Sequence, residues 1–239
     1  MGGKVSMKRG KLRSIIKKVL VGMLLVFSLV TSSFTCKVYA RSEVGPYHLK
    51  ESSIVYKENQ KKILLDLAHH DSALDNGCSY GQYNEREIAN KITLQVKQLL
   101  EAEGIDVDLT RSYEDVISIA DRVKLANSSD YDYYISIHIN SSGTENQGTG
   151  LEAFSCGAWS ISNSIIKELQ NEFGYVNRGI YESQFYNKRI DDRSTLLEIG
   201  FLNNEYDRNN LVNHQTEYAH AIARGIINQL NKEKREMIE

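Results

Sequence analysis

From residue 61 onward, short apolar runs alternate with longer stretches in which apolar residues recur every three or four positions. The short runs are typical of buried strands and the periodic stretches of amphipathic helices. We predict strands at residues 63–67, 105–110, 133–139, 150–155 and 194–199, helices at 84–103, 116–126, 161–173 and 217–230, and an edge strand around 53–56. This alternation indicates an α/β fold, a single domain in which a mostly parallel twisted sheet is flanked by helices.

The first 40 residues have a different composition from the rest of the chain. They contain eight basic residues and no acidic one, and an uncharged run over residues 19–36 follows the basic block. A bilayer span needs about 20 apolar residues, and the most apolar part of this run, residues 19–30, is shorter than that. It has instead the length of a signal-peptide core. Val38 and Ala40 stand at the small-residue positions of a cleavage site. We therefore predict a signal peptide, with an uncleaved membrane anchor through residues 19–36 as the alternative.

Removing that segment changes the charge of the chain. Of the 29 basic residues 21 remain, against 31 acidic ones, which gives a net charge of −10 with histidine neutral. A nucleic-acid-binding protein normally carries the opposite sign, so we expect no nucleic acid as a partner. Cys78 and Cys156 also remain. Their separation cannot be judged from sequence, and one core cysteine with one exposed cysteine is the simpler interpretation.

Four polar residues stand where predicted elements begin or end. His69 follows the first strand, His138 and Glu198 lie near the ends of two others, and Glu85 is in the first turn of the long helix. Because sites in open α/β sheets form at the carboxyl ends of strands, we expect these side chains to converge. Two histidines and one glutamate are the ligands of a catalytic zinc site with room for water, and a second glutamate can serve as its base.

Each of these residues also has a purely structural explanation. His69 can be a loop histidine without a partner, and an acid such as Glu85 is favoured in any first helical turn by the helix dipole. His138 and Glu198 are harder to explain in this way, because they lie within apolar strands where a buried polar group needs a partner. A single site accounts for all four residues together.

A series of ordered sequence elements carries a resemblance to a known family. In chain order they are Asp66-Leu67-Ala68-His69-His70-Asp71, Glu85 with Gly104, Thr110-Arg111, Arg122 with Ala126-Asn127, Ser136-Ile137-His138-Ile139-Asn140, Gly150-Leu151-Glu152, Asn177-Arg178-Gly179, and Leu196-Leu197-Glu198-Ile199-Gly200-Phe201 with Asn204. With these elements the chain resembles the zinc-dependent N-acetylmuramoyl-L-alanine amidases of the type 3 class, from about residue 61 to about residue 230.

The resemblance implies hydrolysis of the amide between N-acetylmuramic acid and L-alanine of peptidoglycan. It implies that His69, Glu85 and His138 hold one zinc ion, that Glu198 is catalytic, and that Asn140 binds substrate. It divides the chain into an export segment or anchor (1–40), a tether (41–60), a zinc amidase catalytic domain (61–232) and a charged tail (233–239). Such a protein acts outside the cytoplasm, in the cell wall or at the extracytoplasmic face of the membrane.

The chain also departs from the pattern of that family. Ala68, His70 and Asp71 replace glycines around the first ligand, and Arg193 replaces a proline. We expect His70 to be a rim residue on the side opposite His69, provided that the chain stays extended there. None of the four site residues is lost, so we expect activity.

Four questions stay open at the level of sequence. One alternative is a catalytically silent wall-binding or regulatory protein on the same fold, because a fold alone does not fix function. Another is a zinc peptidase that acts on the stem peptide. The small size resembles amidases of the spore cortex, but a vegetative wall fits as well, and an activating protein partner is neither indicated nor excluded.

Overall fold

The computed structural model describes residues 61–72, 75–128 and 130–239, so the predicted export segment or anchor (1–40), the whole predicted tether (41–60) and the strand predicted around 53–56 lie outside the described residues. Within these ranges the strands are β1 (Lys62–Asp66), β2 (Ser79–Tyr80), β3 (Tyr83–Asn84), β4 (Asp106–Leu109), β5 (Tyr133–Asn140), β6 (Leu151–Cys156), β7 (Asn177–Glu182) and β8 (Ser194–Phe201). The helices are α1 (Glu85–Ala102), α2 (Ile119–Asn127), α3 (Trp159–Phe173), α4 (Glu205–Asn213) and α5 (Gln215–Glu236), with a 3-10 helix at Tyr186–Arg189. None of these helices is long and apolar enough for a membrane span.

Six strands form one sheet in the order β4-β1-β5-β8-β6-β7, and β2 pairs with β3 in a separate hairpin. Strands β4, β1, β5 and β8 are parallel to one another, whereas β6 is antiparallel to β8 and parallel to β7. The predicted α/β fold with a mostly parallel sheet flanked by helices is therefore confirmed. The reversal at β6 brings the beginning of β6 to the edge of the sheet at which β8 ends.

The two faces of the sheet have different neighbours. Along β1, Ile63 and Leu65 belong to a large buried cluster, whereas Leu64 between them belongs to a smaller one. The large cluster includes residues of α1, α3 and α5, and the small cluster includes Ala126 of α2 and Ile190 after the 3-10 helix. Because successive side chains of a strand point to opposite faces, α1, α3 and α5 cover one face, and α2 and the 3-10 helix lie on the other.

Helix α1 begins at the edge of the sheet where β1 and β5 end. The Asn84 side chain accepts a hydrogen bond of 3.3 Å from the backbone N–H of Glu87, as an N-cap residue does. Apolar residues at a spacing of four, from Ile88 to Leu100, bury one side of the helix against the sheet. This docking fixes the first helical turn, and with it the Glu85 side chain.

The structure differs from the predicted elements at several points. Helix α2 begins at Ile119 rather than at residue 116, because the Ser118 side chain caps it by accepting a hydrogen bond from Asp121. The hairpin, β7 and α4 were not predicted. Strand β7 is an edge strand with no buried residue, and α4 buries only Asp207 and Leu211, so neither carries a clear apolar pattern. Helix α5 extends to Glu236, so the predicted charged tail begins within a helix.

A buried ion pair joins the carboxyl end of β1 to α2. Asp66, fully buried at the end of β1, accepts hydrogen bonds from Arg122 of α2, Thr110 (2.6 Å), Ser136 (2.9 Å) and Tyr186 (2.7 Å). Burial opposes ionisation of this carboxyl, but the Arg122 guanidinium and the hydroxyl donors outweigh it and hold the pKa of Asp66 well below its usual range. Asp66 and Arg122 therefore form a charged pair whose members depend on each other.

Removing one partner of this pair is expected to destabilise the fold. Arg122→Met leaves the Asp66 carboxylate buried without its countercharge, which costs about 3–5 kcal/mol of unfolding free energy. Denaturant unfolding at pH 7 measures the loss. The double variant Asp66→Asn/Arg122→Met is expected to recover part of it, because both charges are then absent. An Arg122→Met protein as stable as the parent would contradict a buried, ionised pair.

Candidate metal centre

Three side chains from three elements converge at the edge of the sheet. One oxygen of Glu85, Oε1, lies 3.1 Å from Nε2 of His69 and 3.0 Å from Nδ1 of His138. His69 lies in the loop after β1, Glu85 begins α1, and His138 lies near the end of β5. Their potential ligand atoms are all within 4.8 Å of one another, and the two imidazole rings meet edge to face. These are the three residues predicted as metal ligands.

The Glu85 carboxylate is held in place by the backbone. Oε2 accepts a hydrogen bond of 2.8 Å from the N–H of Cys78, and Oε1 accepts one of 3.1 Å from the N–H of Ile139. Burial raises the energy of the ionised carboxyl, but hydrogen bonds from His138 and His69 outweigh this effect and hold the pKa of Glu85 well below its usual range. Glu85 is therefore ionised, as a metal ligand must be.

The backbone of His69 has an unusual conformation that two arginines support. Its φ of +55° lies in the left-handed region, which costs a residue other than glycine about 1–3 kcal/mol unless its surroundings enforce it. Guanidinium groups of Arg111 and Arg122 both donate hydrogen bonds to the His69 carbonyl oxygen. These contacts stabilise the turn that brings the imidazole ring towards Glu85.

The ring of His69 is oriented by a loop acid. Nδ1 of His69 lies 2.5 Å from Oδ1 of Asp75, so Nε2 is the nitrogen that remains on the side of Glu85. Gly77, two residues after Asp75, has a φ of +70°. A Cβ atom at this position would lie 2.8 Å from Glu85 Oε2 and 2.9 Å from the His69 ring. The loop from Asp75 to Gly77 therefore packs directly against both residues and admits no side chain at Gly77.

His70 takes a different position from the one predicted. The expectation of a rim residue required an extended chain, but the chain turns at His69. His70 is consequently buried, its N–H donates to the Asp75 carbonyl oxygen, and its Nε2 lies 3.5 Å from Asp75 Oδ2. The adjacent histidines thus contact the same acid, but only His69 belongs to the converging set.

Glu198 lies beside the three converging residues on the neighbouring strand. In the register of the sheet it pairs with His138 of β5 on one side and with Glu152 of β6 on the other. Its Oε2 atom is buried and has no hydrogen-bond partner among the described residues. Burial, and then the negative charges of Glu85 and Glu152, raise the pKa of Glu198 well above its usual range. A carboxyl group of this kind can take up and release a proton.

Asn140 and Glu152 border the site at the end of β5. Nδ2 of Asn140 donates a hydrogen bond of 3.0 Å to Glu152 Oε2, and its Oδ1 accepts one of 2.7 Å from the N–H of Ser141. The other oxygen of Glu152 accepts a hydrogen bond of 2.5 Å from Nε of Arg178, on β7. Both oxygens of Glu152 are thus occupied, in contrast to those of Glu198.

A cavity of about 390 Å³ opens over these residues. His69, Glu85, His138 and Glu198 line its floor, and Ile119, Phe185 and Tyr186 are among the residues of its walls. Ile119 and Phe185 are both exposed apolar side chains. The site is therefore a cleft with a polar floor and partly apolar walls, a combination typical of ligand-binding pockets.

The cysteines do not contribute a nucleophile to this cleft. Cys78 and Cys156 are both free. Cys78 lies near the end of β5, within 3.4 Å of the Ile139 carbonyl oxygen, whereas Cys156 pairs with Ser194 at the start of β8. Cys78 therefore lies near the carboxyl ends of the parallel strands, and Cys156 lies near their amino ends. Burial, together with the Glu85 charge, raises the pKa of Cys78 far above its usual range, so its thiol stays protonated.

The converging residues fit one zinc ion. Two imidazole nitrogens and one carboxylate oxygen are donor types that zinc prefers, and three is the number of protein ligands in catalytic zinc sites. His138 also has a buried ring nitrogen, Nε2, without a hydrogen-bond partner among the described residues. The Nδ1 contact of His69 with Asp75 is the kind of outer contact that orients metal-binding histidines.

Sequence reasoning missed three contributors to this site. Asp75 lies in a polar loop with no pattern that distinguishes it from its neighbours. The N–H of Cys78, which holds Glu85, has no signature in the sequence because it belongs to the backbone. Glu152 was noted as part of a family motif without a role. Its strand was not known to be antiparallel, so its position beside Glu198 could not be predicted.

Comparisons with known proteins agree with this geometry. The sequence profile of the family described as N-acetylmuramoyl-L-alanine amidase, Amidase_3, matches residues 63–228. The sporulation-specific N-acetylmuramoyl-L-alanine amidase of Bacillus subtilis (strain 168) is 30% identical over 179 residues, which cover 72% of this chain and 67% of that protein.

Solved structures of amidases have the same fold. N-acetylmuramoyl-L-alanine amidase AmiC2 of Nostoc punctiforme aligns with a TM-score of 0.67 and 25% identity, over 73% of this chain and 99% of that one. The catalytic domain of CwlV from Bacillus (Paenibacillus) polymyxa var. colistinus aligns with a TM-score of 0.64 and 28% identity, over 72% and 98%. With a profile match over most of its length and an intact His-Glu-His metal site, the chain belongs to the N-acetylmuramoyl-L-alanine amidase family Amidase_3.

Proposed function

We propose that this chain uses one zinc ion, held by His69, Glu85 and His138, to hydrolyse the amide between N-acetylmuramic acid and L-alanine in peptidoglycan. The observation that carries the proposal is the arrangement of the cleft. Three potential ligand atoms within 4.8 Å of one another share it with Glu198, whose Oε2 has no hydrogen-bond partner within the described part of the chain. The identity of the cleaved amide bond and the substrate class are inferred from the family to which the chain belongs.

Each protein group has a separate task in this reaction. A bound zinc ion supplies the Lewis acidity that activates water and polarises the scissile carbonyl. Glu198 accepts the proton of the attacking water and passes it to the amine nitrogen of L-alanine as the carbon–nitrogen bond breaks. The products are a lactyl carboxylate on the glycan and a free stem peptide. Glu198 can carry that proton between the two transfers because it lines the same cleft as the three ligands and its Oε2 has no hydrogen-bond partner among the described residues.

Asn140 borders the substrate in this proposal. Its side chain lines the cleft, but both of its polar groups are engaged, one with Glu152 and one with the N–H of Ser141. We therefore expect Asn140 to shape the wall of the cleft and to hold Glu152, with the substrate passing over it.

We place the reaction outside the cytoplasm. The basic and apolar composition of residues 1–40 supports export, with cleavage or retention as an anchor as the two possible outcomes. The B. subtilis relative is named as sporulation-specific, which supports a role in the spore wall. Comparing the walls of vegetative cells and spores of a deletion strain tests this setting, since only the affected wall retains uncleaved stem peptides.

Digestion of purified sacculi tests the proposed reaction. Mass spectrometry of the products is expected to show intact stem peptides together with peptide-free glycan. Trimmed peptides that remain attached to the glycan would instead identify a peptidase. The absence of any product, from protein shown to contain zinc, would identify a silent wall-binding or regulatory protein on the same fold.

The contact between Asp75 and His69 is expected to tune zinc affinity. Asp75→Asn removes the negative charge that faces Nδ1 of His69, and losses of such outer contacts weaken metal binding by about 10- to 100-fold. Competition with a chromophoric chelator measures the dissociation constant. Asp71→Asn is the matched control, because its exposed side chain lies in the same loop but outside the site. Equal zinc affinities of the two variants would refute this role.

A further inference from the structure

Arg178 is an exposed residue whose guanidinium group and backbone carbonyl oxygen are both held by hydrogen bonds. It belongs to the Asn177-Arg178-Gly179 element that the sequence singled out, and the proposed reaction gives it no task. Its side chain is 39% exposed and lies on β7, one of the two edge strands of the six-stranded sheet. Exposed arginines on edge strands usually sample many rotamers, whereas this one is held at both its backbone and its guanidinium.

The backbone around Arg178 is held by its two neighbours. The Asn177 side chain accepts a hydrogen bond of 2.9 Å from the N–H of Gly179, which has φ of +136°. The Tyr181 ring folds over Gly179, where an added Cβ atom would lie 2.7 Å from the ring. The Tyr181 hydroxyl donates a hydrogen bond of 2.6 Å to the Arg178 carbonyl oxygen. Only glycine at position 179 allows this arrangement.

The guanidinium group is held on one side only. Nε of Arg178 donates to Glu152, and the group lies over the Phe201 ring, 5.1 Å from its centroid. Within the described residues neither terminal Nη group of Arg178 donates a hydrogen bond. The pair of Nη groups therefore remains available, in the planar fork that binds a carboxylate with two parallel hydrogen bonds.

Arg178 directly precedes the last residue of a row that begins in the metal site, at a register shift between β6 and β7. His138, Glu198, Glu152 and Gly179 occupy matching positions on four adjacent strands. With strands about 4.8 Å apart, Glu152 lies about 10 Å from His138, and the Arg178 guanidinium lies beside Glu152. A peptide that leaves the metal site along this row covers the same span with about three residues.

We infer that Arg178 binds a free carboxylate on the second or third residue of the stem peptide and so contributes to substrate specificity. The inference rests on the proposed function, which places the scissile amide at the metal site. The remaining side chains of the row, Glu198 and Glu152, are acidic, so an anionic peptide group needs a cation there. Arg178 provides one whose orientation is fixed before the substrate arrives, which lowers the entropic cost of binding.

Matched muropeptides test the inference. One pair differs only at the second stem residue, which carries either a free carboxylate or the primary amide, and another pair differs in the same way at the third. Wild-type protein is expected to cleave the free acid of one pair with kcat/KM about 10- to 100-fold higher, the size of a charge-assisted contact. Arg178→Gln is expected to lose this preference through KM, and Arg178→Lys to keep part of it.

Two controls separate binding from structural damage. Zinc content and thermal midpoint are measured for every variant, and Arg235→Gln removes an exposed arginine from the end of α5, away from the row. Equal cleavage of acid and amide in both pairs by wild-type protein, or an unchanged preference in Arg178→Gln, would overturn the role of Arg178 alone. If zinc-loaded wild-type protein cleaves none of the muropeptides, the proposed function fails, and this inference with it.

Discussion

Replacing Glu198 by glutamine is expected to lower kcat on purified sacculi by about 10²–10⁴ and to leave zinc content unchanged. Glutamine has almost the same shape but cannot accept the proton of the attacking water. Glu198 does not belong to the three residues whose potential ligand atoms converge, so the metal centre is expected to form without it. The substitution therefore separates loss of chemistry from loss of metal.

The measurement compares initial rates of peptide release at equal zinc occupancy. Glu182→Gln is a suitable control, because Glu182 is an exposed acid on β7, at the opposite end of that strand from Arg178. The Glu182→Gln protein is expected to release peptide at the parental rate. A Glu198→Gln protein that digests sacculi as fast as the parent would show that another group accepts the proton.

Substituting His69 by alanine is expected to remove both zinc and activity, whereas His70→Ala is expected to retain both. His69 contributes one of three ligands, and two ligands do not form a catalytic zinc site. The imidazole ring of His70 lies 3.5 Å from Oδ2 of Asp75 and outside the converging set, so its loss acts on the metal only indirectly. The expected effect of His69→Ala is a fall of activity to background.

Zinc content by atomic absorption and peptide release are measured on the same preparations. Treatment of the parent protein with a chelator is expected to reproduce the His69→Ala phenotype, and added zinc is expected to restore activity to the parent only. The assignment of the two histidines would be reversed if His70→Ala lost zinc while His69→Ala retained it.

The convergence of these four residues could be predicted from the sequence because they have strong local signals. His138 and Glu198 interrupt apolar strands, and a buried polar group in such a position requires a partner. His69 and Glu85 follow or begin recognisable elements. Since parallel strands end at a common edge, knowing the elements was sufficient to bring the four residues together.

The remaining features depend on contacts that no local pattern records. The direction of β6 is fixed by its pairing with β8, and only that direction places Glu152 beside Glu198. The turn at His69 is stabilised by hydrogen bonds from the guanidinium groups of Arg111 and Arg122, which lie far away in sequence. For this reason His70 was expected on the rim and is instead buried. Strand β7 was missed because an exposed edge strand has no apolar alternation.

The position of β7 at the edge of the sheet has a consequence for how amidases of this kind can diverge. The three potential metal ligands lie on β5, on α1 and in the loop after β1, and none of them lies on β7. Among the described strands β7 pairs only with β6, so substitutions there disturb a single neighbouring strand. With the role proposed for Arg178, a lineage can therefore alter which wall chemistries it accepts by changing one peripheral strand, while the hydrolytic machinery stays the same.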